Sequence, residues 1–255
     1  LVFTLSDGTA GALLEGRTGE SPALSETGIH MPATAIGQHS DFGFHELVMN
    51  DIPTLAATVR RMCDGREQTW VTHSLGGVLA AAAIVRAGTE GLGVGQLVHF
   101  GARRQINATG WRRRLLVDFM WNRIGRLAVA FEGYLPAPAL AMGTARESGR
   151  CYHDGVNWSS REQWLDSSDG FDYGAAMRRR GWLRSLYFAS ATDRAFGSPE
   201  DVRDFMHELP RHDGRLLILG RREGNLQDYS HTGMLLHPDA ERDHFPQIVS
   251  WLAGG

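Results

Sequence analysis

The sequence contains no lysine: all 26 basic side chains among its 255 residues are arginine. No Schiff-base lysine and no lysine general base is therefore available. Cysteine is nearly absent as well. Cys63 and Cys151 stand alone, in no CxxC or Cys/His cluster, so zinc-ligand spacing is missing and no metal site is expected. Two reduced thiols fit a cytoplasmic protein better than a lone bridge does. No apolar run reaches the ~18–20 residues of a membrane span, so no stable membrane insertion is expected. There is no excess of positive charge either. The formal net charge of −3 supplies no overall field for nucleic acid.

What the sequence does have is an ordinary globular balance, with 42% hydrophobic and 22% charged residues. Its length suits one large core. Strand-like runs alternate with helical ones. LVFTLS opens the chain at residues 1–6, QTWVTH occupies 68–73, QLVHF 96–100, LYFAS 186–190 and LLILG 216–220. Helical spacing appears over 44–63, 75–87, 199–209 and 239–252. Such alternation predicts an α/β fold, a mostly parallel sheet with helices on both faces. The segment 102–184 interrupts the pattern and is far longer than a normal strand–helix connection. It reads as a helical cap inserted between core segments 1–101 and 185–255.

The strongest chemical signal is Trp70-Val71-Thr72-His73-Ser74-Leu75-Gly76-Gly77-Val78. A strand runs into Ser74 and a small-residue helix leaves it, the context a nucleophile elbow requires. Ser74 is expected on a strained turn, with Gly76 small so that strand and helix can approach, and with Gly77 and the Ala80–Ala83 run letting the helix pack closely on the sheet. The Leu75 N–H at the helix start is a candidate oxyanion donor. The competing reading is a serine that merely caps the helix.

A serine hydroxyl needs a base, and the base needs a carboxylate to set its tautomer. In chain order Ser–acid–His, the acid is Asp193, in the loop after LYFAS, with Glu200 and Asp201 as rivals inside the next helix. The base is His231, after LLILG, with His237 and His244 as rivals expected at the surface. His73 precedes the nucleophile and is expected to support the elbow.

These residues together resemble the α/β-hydrolase superfamily over most of the chain. Phe44-His45-Glu46-Leu47-Val48 through Asp51-Ile52-Pro53 resembles the helix before the elbow in bacterial serine aminopeptidase/esterase-like hydrolases. Ser230-His231-Thr232-Gly233-Met234 to Trp251-Leu252 resembles their tail, and Gly133-Tyr134-Leu135-Pro136 their cap region. The resemblance implies a second oxyanion donor after an early strand, here Asp7 or Gly8. Two departures stand out. Thr72 replaces the usual first glycine of the elbow, and Ser6-Asp7-Gly8-Thr9 replaces a His-Gly pair. The strands that usually come earlier are missing from this sequence, which opens at Leu1 within a strand; truncation is the expected reason.

The expected function is hydrolysis of a small-molecule carboxylic ester or thioester through an acyl-enzyme, with no cofactor. An aminopeptidase or amidase is the alternative, with Glu147, Asp154, Glu162 and Asp166 as an amine-binding pocket. A non-catalytic hydrolase-fold protein is the third reading. Within the insertion, Leu115, Phe119, Ile124, Leu127 and Phe131 are expected on the inner face of a cap helix. Its basic start, Trp111-Arg112-Arg113-Arg114, also fits a membrane-surface element, but the cap reading outweighs it. Trp158, Trp164 and Trp182 are expected in the core, and Arg178-Arg179-Arg180 as a solvated run.

Overall fold

The computed structural model describes the backbone of residues 2–5, 12–13, 40–107, 114–140, 146–160 and 162–254. Side chains are described from residue 40 onward within those ranges, apart from 114–118 and 120. A six-stranded sheet forms the centre, in the order β2-β1-β3-β4-β7-β8. Its strands are β1 (Val2–Leu5), β2 (Ala12–Leu13), β3 (Gln68–His73), β4 (Val94–Phe100), β7 (Arg184–Ser190) and β8 (Gly214–Leu219). The pairs β3–β4, β4–β7 and β7–β8 are parallel, and β1 runs antiparallel to both its neighbours. Strands β5 (Tyr134–Leu135) and β6 (Glu147–Ser148) form a separate two-stranded ribbon in the insertion.

Successive strand side chains point to opposite faces, so each buried strand feeds two cores. Leu97, Tyr187 and Ala189 join one apolar cluster, and Val98, Phe100, Leu186 and Phe188 join the other. The first is covered by α1 (44–62, π-helical over Leu47–Asp51), α2 (Leu75–Ala87) and α6 (Pro199–Glu208). The second is covered by α7 (Phe245–Leu252), whose Trp251 is buried. A single terminal helix over 239–252 does not form. A short turn at Ala240–Asp243 precedes α7, and Pro246 lies in the first turn of α7, where its missing N–H breaks no ladder.

The insertion contributes α3 (114–132), α4 (Gly149–Ser160) and α5 (Tyr173–Met177). Its second half is integral to the first core. Trp158, Trp164, Tyr173 and Met177 belong to that cluster, and Trp158 meets Phe44 of α1 edge-on at 4.9 Å. The Asp154 carboxylate accepts the Phe44 N–H at 2.8 Å, satisfying an otherwise orphaned donor at the start of α1. Trp182 is partly buried against the same cluster.

Helix α3 packs differently from the expected pattern. Its buried side carries Gly125 and Val129, and Trp121 lies against Tyr152, ring centroids 5.4 Å apart. Phe119, Leu127 and Phe131 are exposed instead of facing inward. The physical reason is the π-helical winding of Arg114–Gly125, which changes the number of residues per turn and so breaks the α-helical phase on which the expectation rested. The Leu115 side chain lies outside the described ones.

Candidate active site

Ser74 lies immediately after β3, at the carboxyl ends of the parallel strands, where open α/β sheets bind ligands. Its N–H donates to the Phe100 carbonyl at 2.8 Å, which locks the turn to the end of β4. Its backbone has φ 52° and ψ −127°, and Asp64 is the other non-glycine residue with positive φ among the described residues. Such a conformation costs about 1–3 kcal/mol and persists only where the surroundings impose it. An N-capping serine has extended backbone and accepts a helix N–H. Ser74 has neither property: its side chain makes no capping hydrogen bond. Ser74 is thus held at a strained strand-to-helix turn, and the residue is half-buried.

Packing beneath the elbow explains Thr72. Its side chain is buried, and Oγ1 lies 2.6 Å from Nδ1 of His99, its register partner on β4. Burial, with the nearby His212 adding to it, pushes His99 down to about 3, so a neutral ring meets the threonine. Room for this pair comes from Gly77. A Cβ there would stand 2.5 Å from Ala102 Cβ, 2.9 Å from His99 Nδ1 and 3.1 Å from Thr72 Oγ1. A Cβ on Gly76 would meet nothing within 4 Å. The close approach falls at Gly77, as expected for helix–sheet packing, while the expectation that Gly76 is needed for it is corrected.

Asp193 follows β7 and His231 follows β8, and the two meet: Nδ1–H of His231 donates to Asp193 Oδ2 at 2.7 Å. Burial raises the Asp193 carboxyl. Hydrogen bonds from His231, Phe196 N–H and Ala195 N–H outweigh that and hold it below the usual carboxylate range. The imidazole packs against two glycines. A Cβ on Gly101 would lie 2.8 Å from His231 Cε1, and one on Gly197 would lie 3.0 Å from it. Gly101 directly follows Phe100, the partner of the Ser74 N–H, so His231 stands one strand away from Ser74. The Ser74 hydroxyl makes no hydrogen bond to His231 among the described residues; such contacts are often long without ligand and tighten on binding.

His73 does more than support the elbow. Its Nε2–H donates to the His231 carbonyl at 3.1 Å, and the two rings lie 4.6 Å apart. Burial first, then the neighbouring His231, pushes His73 down to about 4, so it serves as a neutral donor that fixes the His231 backbone. The loops that carry Asp193 and His231 are also tied together. The Ser190 and Thr192 hydroxyls donate to the Tyr229 carbonyl, and the Tyr229 hydroxyl donates to Asp243 at 2.6 Å. Sequence reasoning missed Gly101, Gly197 and this clamp; a glycine directly after a buried strand was the available signal for the first.

The rivals fall elsewhere. Asp201 is buried in α6, accepting the Asn107 N–H. His237 is exposed, but His244 is buried rather than superficial, its Nε2–H donating to the Met234 carbonyl at 2.7 Å. Asp7 and Gly8 lie outside the described residues; the antiparallel register pairs Leu5 with Gln68, at the end of β3 remote from Ser74. His45, Asp166 and Asp169 come together. Arg86 fills the position a cation would take there, with Nη2 at 2.9 Å from Asp166 and 2.7 Å from Asp169.

Of the four carboxylates considered for an amine pocket, Asp154 and Asp166 are engaged in internal hydrogen bonds and Glu162 is exposed. Glu147 is half-buried, and burial without a compensating charge pushes it up to about 7 from 4.5. A raised carboxyl means that the fold binds a proton more tightly than the unfolded chain. Stability is then greatest below the unfolded value, declines as pH rises toward the folded value, and levels off above it. Glu147→Gln is expected to be more stable than the parent at about pH 8, by on the order of 2 kcal/mol. The gap should close near pH 4; denaturant midpoints at the two pH values measure it.

No family model and no curated protein matches the sequence. Among solved structures, Rv0554 from Mycobacterium tuberculosis is similar at TM-score 0.51 and 15% identity, over 85% of this chain and 74% of that one. The esterase EaEST from Exiguobacterium antarcticum is similar at TM-score 0.48 and 14% identity, over 87% and 76%. The monoacylglycerol lipase of Paleococcus ferrophilus is similar at TM-score 0.46 and 13% identity, over 80% and 75%. The sheet topology and the first of these likenesses agree: the chain has the α/β-hydrolase fold.

Proposed function

We propose that this protein is a serine hydrolase that cleaves a carboxylic ester or thioester through an acyl-enzyme on Ser74. The observation that carries the reading is the backbone of Ser74: a non-glycine residue held at φ 52° whose hydroxyl does not cap the helix it precedes. Strain kept without a structural return is a mark of function.

In this mechanism Ser74 Oγ attacks the substrate carbonyl carbon while its proton passes to Nε2 of His231. Asp193 holds the opposite N–H and stabilises the imidazolium that forms. Negative charge on the carbonyl oxygen is met by the Leu75 N–H at the start of α2. His231 then protonates the departing alcohol or thiol. Water, deprotonated by the same imidazole, attacks the acyl carbon and releases the acid, restoring Ser74. Residues 102–184 are proposed as the cap over this site.

Ester rather than amine-bearing substrates are favoured because two of the four cap carboxylates are already engaged and Glu147 is partly protonated at neutral pH. Acyl esters of graded chain length and free aminoacyl amides should be compared in kcat/KM. Esters are expected to exceed the amides, and an unblocked aminoacyl amide preferred over its acetylated form and over esters would overturn the choice.

A further inference from the structure

The exposed stripe on α3 has the chemistry of a lipid interface. Phe119 is 49% exposed, Leu127 56% and Phe131 83%. Leu127 and Phe131 are four residues apart on an α-helical stretch, so they lie side by side along one face. The opposite side of the helix is occupied by Gly125 and Val129, with Trp121 against Tyr152. Turning the helix to bury the stripe would therefore pull those groups out of their own cluster.

Charge distinguishes this stripe from an ordinary exposed apolar patch. Arg123 stands four residues before Leu127, and Arg126 stands next to it; both are exposed, although Arg126 also reaches the Tyr152 hydroxyl. Over residues 112–132 the sequence carries five Arg, at 112, 113, 114, 123 and 126, against Asp118 and Glu132. The whole chain is at −3, so this stretch of sequence is positive within a mildly acidic chain, and Arg123 and Arg126 are its described, exposed cations. A helix with an apolar stripe flanked by arginines fits the boundary between acyl chains and anionic headgroups, where the rings enter and the guanidinium groups stay with phosphate. No described helix is long and apolar enough to cross a membrane.

We infer that α3 docks the protein onto anionic lipid surfaces through Phe119, Leu127 and Phe131, with Arg123 and Arg126 meeting the headgroups. This inference is independent of the chemistry at Ser74, and its test does not read activity. Purified protein is floated with vesicles of phosphatidylcholine alone or mixed with phosphatidylglycerol. The parent is expected to float with the mixed vesicles, and less so at high salt. L127S/F131S should lose about tenfold or more in partitioning, and R123Q should lose severalfold on the anionic vesicles only. These positions are exposed, so thermal melts of the variants should match the parent; light scattering reports self-association. Failure to float with anionic vesicles overturns the inference, as does equal flotation of parent and L127S/F131S. A concentration-dependent dimer that L127S/F131S abolishes, without vesicle binding, would also overturn it by assigning the stripe to a second copy of the chain.

Discussion

Ser74→Ala is expected to abolish labelling by a fluorophosphonate probe and to lower ester turnover by on the order of 10⁶-fold, the scale seen when a nucleophile is removed from a working triad. The same position should show a trade between activity and stability. Ser74→Ala keeps a Cβ at φ 52° and hence keeps the strain, whereas Ser74→Gly relieves it. Ser74→Gly should therefore be inactive yet more stable than Ser74→Ala, by about 1–2 kcal/mol, since the conformational cost of strain is offset by the greater chain entropy of glycine. Chemical denaturation of the two inactive variants reads this difference without any substrate. Undiminished labelling of Ser74→Ala would place the nucleophile elsewhere.

Asp193→Asn is expected to reduce kcat by about 10⁴-fold while leaving the fold intact, because the amide presents its donor or acceptor to the wrong tautomer of His231. The hydrogen bond at stake is the 2.7 Å contact to Nδ1, and the variant also weakens acceptance of the Ala195 and Phe196 N–H groups. Since the folded pKa of Asp193 is depressed, its contribution to stability is complete above the unfolded value and is lost as pH falls through the folded one. The deficit of Asp193→Asn in stability should thus appear at neutral pH and shrink under acid, whereas its catalytic deficit persists wherever the parent is active. If Asp193→Asn retains near-parental kcat, another carboxylate holds His231 during turnover.

Much of this architecture was legible from local pattern. Strand-like runs at 68–73, 186–190 and 216–220 became β3, β7 and β8; β3 and β7 read as apolar because strands buried on both faces do so wherever they lie in the fold. The small-residue helix after Ser74 spans Leu75–Ala87, as the Ala-rich run bounded by Gly88 implied. Ser74, Asp193 and His231 could be proposed from the sequence because chain order in an elbow-bearing α/β sheet assigns acid and base to loops after particular strands. That Asp193 and His231 meet was not in the sequence. It depends on β7 lying beside β4 and β8 beside β7, which parallel pairing decides.

Other features belonged to the tertiary structure alone. Whether Gly76 or Gly77 makes the close approach depends on helix rotation over the sheet, which both glycines satisfy equally as letters. Thr72 looked like a fault in the elbow until His99 appeared beside it on the neighbouring strand. The outward face of α3 reversed the periodic reading because π-helical winding shifts the phase of a helix, and composition carries no signal for that shift. Sequence by itself determined which segments had to be buried and which residue types could do acyl chemistry, since hydrophobic period and functional groups are local properties. Only the packed structure decided which glycine yields space, which histidine is a donor and which apolar stripe meets solvent, since each is settled by contacts between residues far apart in the chain.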